Sequence, residues 1–292
     1  MCRINPKIDF AFKKLFGSEE NKDLLISLIN SIISEDEKIE YIELRNPYNL
    51  ADYQKGKMSI LDIKAKDAND HFYNIEMQIA EDLNFDKRSI YYWSKMVTEQ
   101  LSEGMMFKQL NKTISINILD FNIIDSDKFH NKYKILNVET GKSDNLHNMF
   151  EIHYIELKKF KKDYSEITNV LDRWITFLTK ANTLDKKNLP EKMSDNPQIV
   201  KAVTAIDRMF DEEERVVYTV RMQEQMDFES KIDSAFEKGT REGIKKGIEK
   251  GIEKGKKAEK IKIAKSLLKN NVDIEIIKQT TGLTETEIEY LK

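Results

Sequence analysis

The sequence contains few of the residues that cross-link a chain or interrupt its regular structure. Cys2 is the only cysteine, which excludes an internal disulfide and favours a reducing compartment. Only four prolines and ten glycines occur among 292 residues, which argues against a collagen-like or long disordered chain. No apolar run reaches the roughly 18 residues of a membrane span, and residues 1–7 lack an apolar leader. We therefore expect a soluble, cytoplasmic protein.

Two common signatures of cofactor-binding enzymes are also missing. The four histidines show no metal-ligand spacing, so a zinc site is not expected. The glycines do not form the GxxxxGK[ST] loop that binds nucleotide phosphates. A zinc enzyme and a P-loop nucleotidase are therefore both disfavoured.

Charge is spread unevenly along the chain, although its net value is only −3. Residues 229–265 carry twelve Lys and Arg residues against seven Asp and Glu residues, so a basic tail follows an acidic body. The small net charge neither indicates nor excludes a nucleic-acid partner, because local patches matter more than the sum.

The tail also contains an internal repeat. Its glycines recur at every fourth residue, at Gly239, Gly243, Gly247, Gly251 and Gly255. Each glycine costs a helix about 1 kcal/mol relative to alanine, so a lone helix here is marginal unless something packs on the stripe. Two expectations stay open: the stripe brings two copies together as a homodimer, or the segment is a solvated basic linker.

Hydrophobic periodicity divides the first 125 residues into helices and strands. Helices are predicted over 8–33, with an interruption at Gly17-Ser18, and over 85–110. Strands are predicted over 39–44, 57–66, 71–79 and 113–121. The order helix, three strands, helix, strand is typical of an α/β unit with a mixed sheet.

The rest of the chain is mainly helical in pattern. A strand is predicted over 149–157 and helices over 167–183 and 197–211, the last capped by Asn196 before Pro197. A long charged helix is predicted from about residue 211. The final segment resembles a small helix-turn-helix, although its acidic end is unlike a DNA-recognition helix. We expect three segments, 1–230, 231–260 and 261–292.

Acidic residues interrupt the apolar pattern of two adjacent predicted strands. Asp62 lies on one strand, and Glu76 and Gln78 share a face of the next. Carboxylates at a sheet edge can bind Mg²⁺, which activates water and stabilises charge on a phosphodiester. The alternative is the solvated face of a half-exposed sheet. The apolar neighbours of Glu76 favour a central strand, on which a buried carboxylate needs a partner.

This metal site depends on the length of the loop between the two strands, because directly opposed residues share a face. A loop of two or four residues would put Asp62 on the opposite face from Glu76. A three-residue loop, Ala68–Asp70, would place Asp62 opposite Glu76. The hypothesis therefore predicts an odd-numbered loop or a bulge, with Asn69 as its left-handed residue.

Three stretches of the sequence are similar to a known family. They are FAFKKLFG with NKDLL at residues 10–17 and 21–25, LDIKA with NIEMQ at 61–65 and 74–78, and RSIYYWSK at 88–95. Over residues 5–230 the chain resembles the Rpn family of recombination-promoting nucleases, the PD-(D/E)XK nuclease family transposases. The resemblance implies a restriction-endonuclease-like core over about 5–125, with a mixed sheet flanked by helices and a helical C-terminal region.

The resemblance also implies Mg²⁺-dependent cleavage of DNA, in recombination, mobile-element or defence biology. It assigns Asp62 and Glu76 as metal ligands and places Gln78 where many such nucleases have a catalytic lysine. An amide orients water but carries no positive charge, so a substitute cation is expected. Lys64 shares a strand face with Asp62 and is the candidate, with an ordinary exposed strand lysine as the alternative.

The helix predicted after these strands carries a row of possible DNA contacts. Arg88, Tyr91, Tyr92 and Lys95 follow the spacing of one helical face. We expect Arg88 and Lys95 to contact DNA phosphates, and the tyrosines mainly to pack. A second function stays open, because Gln78 could instead mark a degenerate nuclease fold that binds nucleic acid or protein without cutting.

Overall fold

Six strands form one mixed sheet in the computed structural model, which describes residues 4–45, 62–143, 149–206 and 208–291. The strands are Ile42–Arg45 (β1), Ile63–Asp67 (β2), Phe72–Gln78 (β3), Thr113–Leu119 (β4), His130–Lys134 (β5) and Phe150–Glu156 (β6). Their order across the sheet is β1-β2-β3-β4-β6-β5. Neighbours β3, β4 and β6 are parallel, and the other pairs are antiparallel. The predicted α/β class with a mixed sheet is confirmed.

The α-helices of the described chain lie before, between and after the strands. They are Asp9–Phe16 (α1), Lys22–Ile32 (α2), Phe85–Thr98 (α3), Val170–Lys180 (α4), Glu191–Ser194 (α5), Pro197–Ile206 (α6), Glu212–Lys269 (α7), Ile274–Thr281 (α8) and Glu285–Glu289 (α9). The chain forms two compact units, Met1–Gln225 and Met226–Lys292. None of the described helices is long and apolar enough to cross a membrane.

The larger hydrophobic core lies on one face of the sheet. Alternate residues of β2, β3 and β4, such as Ala65, Ile75 and Ile116, point into it. Helices α1, α2, α4 and α6 cover this face, and their largest buried contributions include Trp174 and Phe16. This packing holds α1 against the strand that carries Glu76.

Helix α3 covers part of the opposite face. Phe85 packs with Leu119 and Tyr154 in a second, smaller core. Trp93 closes it and donates its indole N–H to the Thr113 carbonyl oxygen at 2.8 Å. Helix α3 is thereby fixed over the polar side of β3.

Most predicted elements are found, and the differences have local causes. The helix predicted over 85–110 ends at Thr98, because the Gln100 side chain turns the chain back towards β4. Its amide oxygen accepts from the Asn111 N–H at 2.7 Å, and its amide nitrogen donates to Thr113 Oγ1 at 2.8 Å. Edge strand β5 was not predicted, because its mostly polar sequence lacks an apolar alternation. Of the strand predicted over 57–66, residues 57–61 lie outside the described residues.

The second unit contains a small helical core of its own. Its fully buried residues include Ala264, Ile277 and Ile288. Gly282 ends α8 in the left-handed conformation at φ +65°. Thr284 and Glu287 form the predicted capping box at the start of α9.

Helix α7 runs without a break through the glycine repeat. A Cβ atom added at any of the five repeat glycines would meet no described atom within 4 Å. The isoleucines of the repeat, Ile244, Ile248 and Ile252, are likewise more than half exposed. Within a single chain, no described residue therefore packs against the glycine stripe.

A buried cluster of charges joins β6 to β5. The Glu151 carboxylate is completely buried and lies 2.9 Å from Lys132 Nζ, 3.0 Å from Lys112 Nζ and 2.7 Å from His153 Nε2. His153 Nδ1 in turn lies 2.9 Å from His130 Nε2. Burial, together with the positive charge that His153 can carry, lowers the pKa of His130 to about 4. This histidine is neutral in the folded protein near pH 7.

We expect this cluster to make the fold sensitive to acid. In the unfolded chain His130 takes up a proton near pH 6.5, whereas in the folded chain it does so only near pH 4. The free energy of unfolding is therefore highest above pH 6.5 and decreases as the pH falls towards 4, by about 2 kcal/mol at pH 5. Urea unfolding of the wild type and His130→Gln at pH 7.5 and 5.0 measures this contribution. A stability difference between them that does not change with pH would contradict it.

Candidate active site

The hairpin between β2 and β3 brings the two predicted carboxylates together. The Asp67 N–H donates to the His71 carbonyl oxygen at 3.1 Å where the strands end, so the connecting loop has three residues. This is the odd-numbered loop that the metal-site hypothesis requires, and that prediction is confirmed. Continued by one position beyond the start of β2, the register places Asp62 opposite Glu76.

The left-handed residue of this loop is Asp70, at φ +64°, so the prediction for Asn69 was wrong. The cause is the side chain of Asp67, which folds over the loop. Its Oδ1 accepts from the backbone N–H groups of Asn69 at 2.8 Å and of His71 at 2.9 Å. Asn69 is held within this Asx turn, and the chain reverses one residue later.

Asp62 is held in place from two sides. Only 8% of its surface is exposed, and its Oδ2 accepts from the Met77 N–H at 2.7 Å. Its Oδ1 lies 3.2 Å from Lys13 Nζ, which also contacts Asp9 one helical turn earlier, at 2.7 Å. Burial raises the pKa of Asp62 to about 6, although the Lys13 charge opposes this. The two carboxylates outweigh the burial of Lys13 and raise its pKa.

Glu76 is the more deeply buried of the two carboxylates, with 1% of its surface exposed. Its Oε2 accepts from the Gln78 side-chain amide at 3.3 Å, and its Oε1 accepts no hydrogen bond from the described residues. Burial and the nearby Asp62 charge raise the pKa of Glu76 well above its usual range, with Arg88 opposing them. A buried pair of like charges with a free oxygen atom is strongly stabilised by a cation.

These residues fit a divalent cation. Asp62 and Glu76 supply carboxylate oxygens, which are the ligands that Mg²⁺ prefers. The described chain contains no group of three or more His, Cys, Asp or Glu side chains arranged for a metal. The pair would therefore share the ion with water or substrate oxygens, as Mg²⁺ commonly does.

A cavity of about 450 Å³ opens beside Asp62, whereas the more deeply buried Glu76 is not among its lining residues. Gln78 lines it together with Asp62. Four basic side chains also line it, namely Lys7, Lys13, Arg88 and Arg221, together with the acidic residues Asp9 and Glu224. A cavity in which several basic groups lie around Asp62 suits an anionic ligand that accompanies a metal ion.

Two family models match the chain. Residues 6–235 match the model of the PD-(D/E)XK nuclease family transposases, and residues 257–292 match the C-terminal HTH domain of the Rpn/YhgA-like nuclease family. The chain belongs to the PD-(D/E)XK nuclease family. The resemblance inferred from the sequence is thereby confirmed, and the mixed sheet with its flanking helices is the nuclease core of that family. The chain matches no curated protein and no solved structure.

By the resemblance, Gln78 stands where many nucleases of the family have a lysine, and the structure does not bring Lys64 into the cavity beside it. The Lys64 ammonium forms an ion pair with Glu99, just beyond the end of α3. Lys64 is also absent from the residues that line the cavity. The predicted catalytic role of Lys64 gains no support from this position.

The site also contains basic residues that sequence reasoning did not single out. Lys13 and its partner Asp9 are one helical turn apart on α1, a spacing that could have indicated a paired face. Arg221 comes from the start of α7. This part of α7 is fixed by an ion pair between Glu214 and Lys14 at 2.5 Å. Such long-range contacts leave no signal in local sequence patterns.

The two predicted DNA-contact residues lie at different distances from the cavity. Arg88 lines it, with Nη1 3.3 Å from Asp82 Oδ2 and the guanidinium 5.4 Å from the centre of the Tyr92 ring. Lys95 lies beside the Tyr91 ring, 5.9 Å from its centre, and is not part of the lining. The protein therefore presents Arg88 at the site and Lys95 further along α3.

Proposed function

We propose that this nuclease-family protein is a Mg²⁺-dependent DNA endonuclease that hydrolyses phosphodiester bonds. The supporting observation is the buried pair of Asp62 and Glu76, of which Asp62 lines a cavity that contains several basic residues. The family supports nuclease chemistry, and the helix-turn-helix match supports DNA as the partner. We further propose that it acts in the cytoplasm, in recombination, mobile-element or defence biology.

In this proposal, each site residue has a separate task. Asp62 and Glu76 hold the divalent cation, which when bound lowers the pKa of water and neutralises charge on the phosphate. The Gln78 amide, fixed by its hydrogen bond to Glu76, orients the attacking water without adding charge.

The DNA path follows α3. Arg88 holds a phosphate next to the site, because it lines the cavity and is oriented by Asp82. Lys95 contacts the backbone about 10 Å further along the same helix, given a rise of 1.5 Å per residue. Both contacts are independent of base sequence.

One observation favours a second candidate function. Gln78 occupies the lysine position of the motif, and its amide is already engaged by Glu76. A degenerate nuclease of this kind would bind nucleic acid or another protein without cutting. Its signature is DNA binding that is the same in Mg²⁺ and in EDTA, with no cleavage in either.

The direct experiment is incubation of supercoiled plasmid with purified protein in Mg²⁺ and in EDTA. Nicked or linear product in Mg²⁺ alone supports the endonuclease. DNA binding without cleavage in either condition supports the degenerate binding protein instead.

We also propose that the glycine stripe of α7 joins two copies into a homodimer, which would suit cleavage of both DNA strands. The isoleucines beside the glycines are exposed in one chain and would be buried in the dimer. We expect light scattering to give roughly twice the monomer mass of 34.3 kDa. Ile248→Asn should reduce this to the monomer, whereas Lys250→Gln should not. A monomeric wild type would identify the segment as a solvated linker.

A further inference from the structure

The Lys13 ammonium is the basic group of the cavity that touches a predicted metal ligand. It comes from α1, outside the hairpin that carries the nuclease motif, and lies 3.2 Å from Asp62 Oδ1. With 31% of its side chain exposed, it reaches both the buried carboxylate and the open cavity.

We propose that Lys13 supplies the positive charge that Gln78 lacks, by contacting the phosphate group that is cleaved. This inference rests on the proposed nuclease function and names a further residue of the same site. Asp9 holds the Lys13 side chain from the preceding helical turn, so that its ammonium faces the cavity at the level of Asp62.

The other basic groups of the cavity are engaged elsewhere. Lys7 forms an ion pair with Asp120 at 2.6 Å. Arg221 contacts Glu224 at 3.1 Å, and Arg88 packs over Phe85 with its guanidinium 5.0 Å from the ring centre. In the part of the chain that the structure describes, none of these ion pairs or ring contacts involves Asp62 or Glu76, although the Arg88 charge also acts on Glu76. Lys13 is therefore best placed for the scissile phosphate, and the others for neighbouring phosphates.

The proposal also explains why a lysine can be missing from the motif. The second strand of the hairpin delivers Gln78 to the cavity, and α1 delivers an ammonium to the same cavity from another direction. A positive charge stabilises the scissile phosphate to an extent that depends on how close the two groups lie. It does not matter which helix or strand carries the charge. Asp62 and Glu76 would hold the metal ion, and Lys13, which lies 3.2 Å from Asp62 Oδ1, would then contact the phosphate instead of the carboxylate.

The test compares Lys13→Gln and Lys13→Arg with the wild type, using Lys38→Gln as the control, because Lys38 is exposed and does not line the cavity. Lys13→Gln should slow Mg²⁺-dependent plasmid cleavage about 10²- to 10³-fold, the usual effect of losing one charge-stabilising contact. Lys13→Arg should recover most of that loss, because it keeps the charge, and Lys38→Gln should cut within about twofold of wild type. Lys13→Gln that cuts like the wild type, or a loss found only in Lys64→Gln, overturns the proposal.

Two measurements without cleavage separate this role from a structural one. Calorimetric titration should show that Lys13→Gln binds Mn²⁺ as tightly as the wild type or more tightly, because the Lys13 ammonium no longer competes with the metal ion for Asp62. Loss of Mn²⁺ binding would show that Lys13 only supports the ligands, and would overturn the proposal. Binding to DNA in Ca²⁺ should weaken, and the slope of log affinity against log salt should fall by about one unit.

The DNA measurement also distinguishes the two levels of inference. A wild type that binds DNA in Ca²⁺ but cuts nothing in Mg²⁺ overturns the proposed endonuclease. In that case the proposal for Lys13 is tested by DNA affinity alone. If Lys13→Gln and the wild type bind DNA equally well, Lys13 does not contact the phosphate and the proposal is overturned.

Discussion

Asp62→Asn and Glu76→Gln are each expected to lower metal-dependent plasmid cleavage by about 10³-fold or more. Each change removes one of the two carboxylates that would hold the cation, while the shape of the side chain is kept. The metal-free protein should lose no stability, because either change relieves the repulsion between two buried acidic groups. Loss of function without loss of fold is the expected pattern.

Thermal unfolding provides a second measurement of the same prediction. Mg²⁺ should raise the unfolding midpoint of the wild type, because a ligand that binds only the folded state stabilises it. It should leave the midpoint of Asp62→Asn and Glu76→Gln unchanged. Glu81→Gln, an exposed carboxylate shortly after β3, is the matched control and should behave as wild type. Variants that still cut DNA, or a wild type that cuts equally well in EDTA, would contradict the site.

Trp174→Ala is expected to lower the free energy of unfolding by about 3–5 kcal/mol. Trp174 is completely buried in α4, edge-on to Phe16 with ring centres 5.4 Å apart and to Phe177 at 5.8 Å. Its indole N–H also donates to Ser27 Oγ at 3.1 Å, which alanine cannot replace. The change leaves a large cavity where α4 packs against α1 and α2.

Urea unfolding of Trp174→Ala and Trp174→Phe measures this contribution. Phenylalanine keeps most of the buried area and loses only the hydrogen bond and part of the volume, so its cost should be less than half that of alanine. Because Phe16 ends α1, the helix that carries Lys13, the alanine variant should also cut DNA more slowly. A loss of stability below about 1 kcal/mol would show that the core repacks around the missing ring.

The hairpin could be predicted from the sequence because its information is local. The alternation around Ile75, Glu76 and Met77 specifies a strand with a polar and an apolar face, and the requirement that Asp62 face Glu76 specifies a loop of three residues. The resemblance to the family over the same residues adds the expected chemistry, which is metal-dependent cleavage of DNA. Strand, loop and motif all lie within the 17 residues from Asp62 to Gln78.

The cations of the site could not be predicted in the same way. Which lysine faces Asp62 depends on how α1 packs against the sheet, and periodicity in α1 predicts only that one side of the helix is buried. Lys64 has the correct strand face by alternation, yet Glu99, 35 residues later, binds its ammonium. A charge pair between distant elements is decided by tertiary structure, so Lys13 could be identified only from the folded chain.

The three-residue loop between β2 and β3 should make this protein unusually intolerant of insertions and deletions at that turn. Its residues, 68–70, are exposed and would ordinarily belong to the most permissive kind of segment for insertions and deletions. Here the gain or loss of a single residue turns β2 over, so that Asp62 leaves Glu76 and Lys64 enters the core in place of Ile63. The length of a surface turn therefore constrains the candidate site as strongly as the identity of its acidic residues, although no atom of the turn belongs to that site.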